Sequence, residues 1–506
     1  MLFLFNIQTS FATPLNAFLY WFSNCLGLVF FVLYAHQFFY LFVGLKVARV
    51  KKTEFNNHRY GIIISARNEE LVIGYLIESI RKNDYPQDLV DILVVADNCT
   101  DKTAQICRDL GCRVYERNDL QKVGKGYAMH FIFDKIHNDP ELKDKYEAYI
   151  VLDADNILSK NYITELNKVY DSGYKAVTSY RNTKNFGKNW IGDGYGYWFL
   201  HEARSLNNQR MLLKTSCAIS GTGFLIDAQV IKEYDNWCFF TLTEDIEFSA
   251  QYALSRRKIG YAHDAVLYDE QPTTFKQAWR QRERWSKGFY QVFGSKAGKL
   301  FKNMWSNFSC WDILTGIFPA LMISTLMFIV YPICMIIGAT TGNVSAVQMA
   351  GQGLGFMVLM LYASIFLYGL FVLMTEWKRI KMPWWKKIWR NFTFPLFMFT
   401  YLPIALSAAF RKVEWKPIYH NHPVSMSDLG LDGEEHDAAS ATPKEQKTVA
   451  SSNRTADKDS ADDSPAPARQ KTVPQNSAPL TEKIPIAAAK QSAPISAESN
   501  RRTAIR

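Results

Sequence analysis

Between Asn16 and Leu45 the chain carries no acidic residue, no lysine and no arginine. An apolar run of that length exceeds the ~20 residues needed to cross a hydrocarbon core, so this chain must satisfy a bilayer as well as water. No basic residue precedes the run and it is too long for a signal-peptide core, so we expect a retained span. Arg49, Lys51 and Lys52 follow directly and place its C-terminal end in the cytoplasm. Ile313 to Ile337 and Leu354 to Thr375 each suffice for a further crossing. Gly338 to Gly353 carries no charge and reads as an external loop between them. Lys378, Arg379, Lys381, Lys386, Lys387 and Arg390 then mark an internal stretch, in which Trp384, Trp385 and Trp389 suggest a helix lying in the headgroup region. Phe392 to Phe410 is a fourth apolar stretch, interrupted by Pro395 and Pro403. Arg411 and Lys412 beyond it argue for a cytoplasmic end, whereas a full crossing puts them outside, so both topologies stand. The net charge of +10 is concentrated beside these apolar segments, where a membrane protein needs it, and we expect no nucleic-acid partner.

From about Arg59 to Lys299 the pattern changes to alternating strands and helices. Ile62 to Ile64 reads as a buried strand bounded by Gly61 and Ser65, and Glu69 to Arg81 as a helix with apolar residues at Leu71, Tyr75, Leu76 and Ile80. Ile92 to Ala96 and Tyr149 to Leu152 are further strands, and Thr103 to Leu110 a further helix. Such alternation implies a mostly parallel sheet covered on both faces, with ligands bound beyond the carboxyl ends of its strands. The eight cysteines are scattered with no Cys-X-X-Cys pair, so buried, reduced thiols are expected. After roughly Asp428 the chain is rich in Ala, Ser, Thr, Pro, Lys and Asp, lacks apolar periodicity, and reads as disordered.

The polar clusters at those strand ends carry the chemistry. Asp153-Ala154-Asp155 offers two carboxylates to one hard cation, and Mg²⁺ or Mn²⁺ binds through one or two carboxylates plus substrate phosphates. A solvated turn is the plainer explanation of such a triplet taken alone. In Ala96 to Thr103, Asp97 is placed to accept hydrogen bonds from a base or ribose, whereas Asp101 and Thr103 read as caps of the next helix. Thr243-Glu244-Asp245 supplies a proton acceptor for an attacking hydroxyl: Asp245 is the candidate and Glu244 the alternative, against a capped helix start. Gln281, Arg284 and Trp285 share one face of a helix over Phe275 to Phe293, able to set a guanidinium on a pyrophosphate and an indole against a sugar. An amphipathic basic helix on the membrane surface explains the same pattern. Lys125, between Gly124 and Gly126, is a further phosphate contact, and Ser220-Gly221-Thr222-Gly223 allows close backbone approach to a ligand. His263 has no second ligand at a useful spacing and reads as structural.

Together and in this order these residues resemble the processive, membrane-embedded family 2 glycosyltransferases, such as cellulose, hyaluronan, chitin and poly-N-acetylglucosamine synthases. The resemblance covers about Tyr60 to Tyr419. Ser65 to Glu70, including Glu69, is similar to the family's first nucleotide-binding loop. Asp97 matches its uridine-contacting aspartate, Asp153 and Asp155 its Asp-X-Asp pair with Asp155 the metal ligand, and Asp245 its catalytic base. Gln281, Arg284 and Trp285 match the Gln-X-X-Arg-Trp signature. The resemblance implies a nucleotide-sugar α/β fold of the GT-A type inserted between transmembrane helices. The expected parts are a transmembrane helix over 1–50, a cytosolic catalytic domain over 51–299, interfacial and transmembrane helices over 300–420, and a disordered tail over 421–506. It also implies Mg²⁺ or Mn²⁺ as cofactor and the plasma membrane as location. The partners are a UDP-sugar donor (UDP-glucose or UDP-N-acetylglucosamine) and a growing polysaccharide or lipid acceptor. One proton acceptor and no second paired carboxylate fit inversion, giving a β-linked product from an α-linked donor. Departures are a single preceding span, Asn98-Cys99-Thr100 in place of an acidic or Gly-Ser version, and no regulatory nucleotide-binding domain after the membrane region. Two other readings are a transferase adding one sugar to a lipid, which usually lacks the Gln-X-X-Arg-Trp helix, and a membrane scaffold with a recruiting tail.

Overall fold

The computed structural model describes residues 11–51, 54–317, 319–415 and 423–431. Helix α1 (Pro14–Val43) leads into β1 (Tyr60–Ala66), α2 (Ile73–Arg81), β2 (Val90–Asp97), α3 (Thr103–Asp109), β3 (Arg113–Arg117) and α4 (Lys125–Asn138). Next come β4 (Ala148–Asp153), β5 (Ile157–Leu158), α5 (Tyr162–Asp171), β6 (Ala176–Thr183) and α6 (Trp190–His201). A π-helical stretch, Glu202–Asn207, joins α6 to α7 (Asn208–Leu212), followed by β7 (Phe224–Asp227), α8 (Ala228–Glu233), α9 (Glu244–Leu254) and β8 (Gly260–Asp269). The remaining helices are α10 (Phe275–Asn303), α11 (Phe308–Ile317), α12 (Pro319–Thr340), α13 (Val344–Thr375), α14 (Trp384–Phe399) and α15 (Tyr401–Phe410).

Among the described residues the strands form one sheet in the order β3-β2-β1-β4-β7-β6-β8-β5. Period-2 alternation divides the isoleucines of β1: Ile63 enters the core on one face, Ile62 and Ile64 the core on the other. The β3-β2-β1-β4 half is parallel, as the strand-helix alternation implies. The other half is mixed, because β7 runs antiparallel to both neighbours and β5 antiparallel to β8. The expectation of a mostly parallel sheet therefore holds for only half of it. The cause lies between β6 and β7, where α6 and the π-helical stretch pack against the long helices α13 and α14 instead of forming a simple crossover. The helix expected from Glu69 begins only at Ile73. Before it, the N–H groups of Glu69 and Glu70 donate to Thr103 Oγ1 (2.8 Å) and Asp101 Oδ2 (3.2 Å), so this turn is tied to the next strand end instead of coiling. None of the eight cysteines is paired.

Four helical stretches among the described residues are long and apolar enough to cross a membrane: Pro14–Val43, Met322–Thr340, Val344–Thr375 and Trp384–Phe410. The span expected to begin at Ile313 falls on α11 up to Ile317 and on α12 from Pro319, with residue 318 outside the described residues. The external loop expected over 338–353 is a tight turn, because α12 runs to Thr340 and α13 begins at Val344. Gly342 adopts φ 68° there, and the Asn343 side chain caps α13 by accepting from the Ala346 N–H (3.1 Å). No separate headgroup helix carries Trp384, Trp385 and Trp389: they open α14, which continues through Pro395 to Phe399. Trp384–Phe410 lies along the sheet domain over its whole length. Arg390 pairs with Asp193 (2.6 Å), Arg282 donates to Phe397 O (3.2 Å) and Thr400 Oγ1 (2.6 Å), and Lys287 donates to Ala408 O (3.1 Å). The chain then returns to the sheet, where Met426 and Leu429 pack with Ile157. The tail expected over 421–506 thus has residues 423–431 folded onto the domain, and residues 432–506 lie outside the described residues.

One buried network joins the first long helix to the sheet domain. Asp312, fully buried on α11, accepts two bonds from Arg210 of α7 (2.7 and 3.2 Å) and one from Tyr40 of α1 (3.0 Å). Burial pushes its carboxyl up, but the Arg210 guanidinium together with His36 (3.4 Å) outweighs this and holds it well below the usual carboxylate range. Removing one partner strands the other charge in a dry site, which costs about 3–5 kcal/mol. Asp312→Ala is therefore expected to lower the detergent-solubilised melting temperature sharply, and the double variant Arg210→Met with Asp312→Leu to recover most of the loss. Equal melting temperatures for wild type and D312A contradict this role.

Candidate active site

The register of three strands assembles the site. Ala66 lies opposite Ala96, and Ser65 opposite Asp153, so the loops after β1, β2 and β4 open at one edge. There they are laced together. Asn98 (φ 55°) donates to Asp97 Oδ1 (2.9 Å), and Asn68 (φ 58°) accepts from the Thr100 N–H (2.8 Å). Both occupy the left-handed region, which asparagine tolerates better than most residues. Asp101 accepts from the N–H (3.0 Å) and Oγ1 (2.6 Å) of Thr103 from one residue before the cap position, which Lys102 occupies.

A cavity of about 560 Å³ opens at this edge, and all nine sequence-derived site residues line it: Glu69, Asp97, Lys125, Asp153, Asp155, Asp245, Gln281, Arg284 and Trp285. Asp97 is buried and paired with Arg117 (2.6 Å); burial outweighs that partner and raises its carboxyl. Lys125 bonds to Asp153 Oδ1 and to Gly221 O (2.8 Å), bridging the Asp-X-Asp turn and the glycine loop. Asp155 is 6% exposed and accepts from the Glu270 N–H (2.8 Å), which fixes one oxygen. The Glu69 backbone secures the first loop through Thr103.

The glycine loop carries the next piece. Gly221, at φ 78°, turns its N–H onto Asp245 Oδ2 (2.6 Å), while Gly223, at φ 68°, has no room for a Cβ, which falls 1.9 Å from Leu267. Asp245 begins α9 beside Glu244. Burial pushes both carboxyls up, and the charge of Asp245 helps raise Glu244 to about 7. Gln281, Arg284 and Trp285 project from α10, as their spacing implies. The Trp285 ring meets Tyr195 edge-on at 5.8 Å, and Gln281 Oε1 is buried without a hydrogen-bond partner among the described residues. His263 sits edge-on to Tyr180 at 5.4 Å, and burial lowers it to about 3, consistent with a structural residue.

Sequence reasoning missed several lining groups. Arg181 pairs with Asp269 (Nε–Oδ2, 2.6 Å), which ends β8 and is raised to about 6 by burial and by the charge of Asp155. Its position at a strand's carboxyl end was the available signal. Trp415 lies over Arg67 (5.0 Å) at the nucleotide-loop end, and nothing in the local sequence marks it. Beyond Asp245 the lining becomes apolar and is supplied by the long helices: Tyr34 and Phe38 of α1, Ile317 of α11, Leu361, Ile365 and Tyr368 of α13, and Phe394 and Met398 of α14. One cavity therefore runs from a carboxylate-lined end to an end walled by membrane-length helices.

Two carboxylates matter for a cation. Asp153 and Asp155 present oxygens at the strand end, and among the described residues no cluster of three or more acidic, histidine or cysteine side chains forms a complete cage. That set fits Mg²⁺ or Mn²⁺ completed by substrate phosphates, and a cation there relieves the repulsion that Asp155 exerts on Asp269.

Residues 58–288 match the family model described as glycosyltransferase like family 2. The chain is 25% identical over 264 residues to the probable glycosyltransferase YdaM of Bacillus subtilis (strain 168), covering 48% of this chain and 58% of that protein. It is 25% identical over 238 residues to a beta-monoglucosyldiacylglycerol synthase of Synechocystis sp., covering 46% and 48%. The chain thus spans about half the length of the curated relatives it matches. Among solved structures, a mannosyltransferase of Pyrobaculum calidifontis in complex with GDP-Man and Mn²⁺ aligns over 76% of this chain and 98% of its own, at 14% identity and a TM-score of 0.45.

The electrostatics of the Glu244–Asp245 pair are directly measurable. Asp245→Asn removes the neighbouring charge, so the Glu244 carboxyl should titrate below about 7, nearer the ordinary carboxylate range. Difference infrared spectroscopy of the carboxyl stretch follows this. An unmoved Glu244 midpoint contradicts the coupling.

Proposed function

Starting from a family 2 glycosyltransferase domain over residues 58–288, we propose that this chain transfers a hexose from a UDP-sugar to an acceptor whose apolar part is held between the long helices. The observation that carries this reading is one cavity lined both by the carboxylate cluster, with Asp245 tied to it through Gly221, and by apolar residues of the long helices. A membrane lipid satisfies both linings: its tail matches the helix walls, and its polar head reaches Asp245. The named synthase from Synechocystis acts on a lipid, which agrees with this acceptor class.

In this mechanism Asp97 and the loop from Ser65 to Glu70 hold the base and ribose. Asp155, with Asp153, holds Mg²⁺ or Mn²⁺, which when bound offsets negative charge on the diphosphate. Lys125 and Arg284 place their cations toward the same phosphates. Asp245, oriented by the Gly221 N–H, takes the proton of the attacking acceptor hydroxyl. Attack opposite the leaving diphosphate inverts the anomeric centre. Burial raises the Asp245 carboxyl, so kcat/KM rises with pH through a midpoint above the ordinary carboxylate range. UDP-sugars are cytosolic, and Arg49 and Lys51 flank the inner end of α1, so we place the catalytic domain on the cytoplasmic side of the plasma membrane.

Extension of a β-linked polysaccharide is the second reading. The placement of Gln281, Arg284 and Trp285 in the same cavity favours it, because an indole and a polar face suit a sugar chain. Product analysis separates the two. Purified protein in lipid vesicles is given Mn²⁺ and UDP-[¹⁴C]glucose or UDP-[¹⁴C]N-acetylglucosamine singly. We expect label to partition into the organic phase with one sugar per lipid. A long water-soluble product supports the second reading, and no UDP release with either donor refutes both. Asp245→Asn should retain UDP affinity within about twofold while transfer falls by about 10²–10⁴; wild-type turnover in D245N removes Asp245 as the base.

A further inference from the structure

In the cavity wall, where His201 packs on Tyr368 of α13 (4.7 Å) and Glu202 reaches the glycine loop, two adjacent polar side chains each have an atom without a protein partner among the described residues. Glu202 lines the wall, and its carboxylate has one bond, Oε2 accepting from Ser220 Oγ (2.7 Å). The other oxygen has no partner among the described residues. His201, adjacent in the chain, is 4% exposed and lines the same wall; its Nδ1 is buried with no hydrogen-bond partner among the described residues. Burial keeps this imidazole neutral, with its pKa lowered to about 3, so it offers one donor and one acceptor. The buried, unpaired Nδ1 of His201 is costly unless a ligand completes it, and the half-buried Glu202 beside it has an oxygen free to accept from the same ligand.

The local backbone points the same way. Glu202 opens the π-helical stretch that ends at Asn207. Such segments are rare and concentrate at functional sites. The placement relative to the proton acceptor is also definite. Glu202 is fixed by Ser220, and Asp245 by the N–H of Gly221, so neighbouring residues of one loop hold the two carboxylates. Two carboxylates held this way match two hydroxyls of one molecule: one attacked after losing its proton to Asp245, the other donating to Glu202.

We propose that Glu202 and His201 form a hydroxyl-binding subsite that selects an acceptor carrying at least one hydroxyl besides the one attacked. This rests on the glycosyl-transfer reading above and narrows its acceptor from any membrane alcohol to a polyol or sugar headgroup. Glu202 and His201 are positioning residues for specificity. A lipid with a lone hydroxyl leaves both groups unpaired, and sites built to hydrogen-bond a hydroxyl discriminate strongly against analogues lacking it.

The test compares two acceptors in the same phosphatidylcholine vesicles: dioleoylglycerol, with one hydroxyl, and glucosyl-dioleoylglycerol, with a sugar headgroup. The full-length protein is assayed with Mn²⁺ and each UDP-sugar, and the ratio of kcat/KM for the two acceptors is read. In the wild type the ratio should favour the sugar-headed lipid by at least about tenfold. In Glu202→Ala and, separately, His201→Phe it should fall to within about threefold of unity, through acceptor KM, with the UDP-sugar KM held. A wild-type ratio near one, or variants that keep the wild-type ratio, overturns the subsite. If the wild type releases UDP with neither lipid, the lipid-acceptor reading fails and the subsite falls with it. Two variants are used so that misfolding of one, seen as a lowered melting temperature, leaves the other to decide.

Discussion

The parallel register of β2, β1 and β4 is the constraint on which the rest of the structure depends. It sets Ala66 against Ala96 and Ser65 against Asp153, so three loops with charged or amide side chains emerge at one edge. A slip of one residue would send each strand's side chains to the opposite face. The strand interiors resist that slip because Ile62, Ile63 and Ile64 are completely buried and divided between two cores. The carboxylates converge because the apolar residues behind them have only one way to pack.

The long helices are part of the same object. Asp312 and Arg210 join α11 to α7 with Tyr40 of α1 on the same carboxylate, and Glu376 beyond α13 accepts from Tyr180 of β6 (2.7 Å). Both links are buried, so their geometry is strict. They fix the helices that supply the apolar lining of the cavity against the sheet domain that supplies its carboxylates. Close approach at Gly194, where a Cβ would fall 2.4 Å from Phe397, seats α14 on α6, and α14 supplies Phe394 and Met398 to the cavity lining.

Much of the site was legible because its residues follow strands. Asp97, Asp153 and Asp155 stand directly after apolar runs, and the helical spacing of Gln281, Arg284 and Trp285 fixes their common face. The antiparallel placement of β7 and β5 was not legible, since strand-helix alternation looks the same whether the helix crosses over or turns away to pack elsewhere. The extent of α13 was hidden by uncharged, weakly apolar residues such as Gln348, Gly351 and Gln352, which a helix accommodates on a face that its neighbours leave open. Glu202 and His201 carried no motif. Their significance depends on which partners they lack, and that is a property of the fold. Trp415 reaches Arg67 only because the chain returns after α15, a long-range contact without local signature.

The most direct measurement is a structure of the protein with UDP and Mn²⁺, with anomalous scattering collected at the manganese edge. A manganese peak at about 2.0–2.2 Å from an Asp155 oxygen, touching the diphosphate, with the uracil against Asp97 and an open path from Asp245 to the long helices, is the expected result. Manganese or UDP bound outside this cavity, or a cavity closed between Asp245 and the helices, would contradict a shared donor and acceptor chamber.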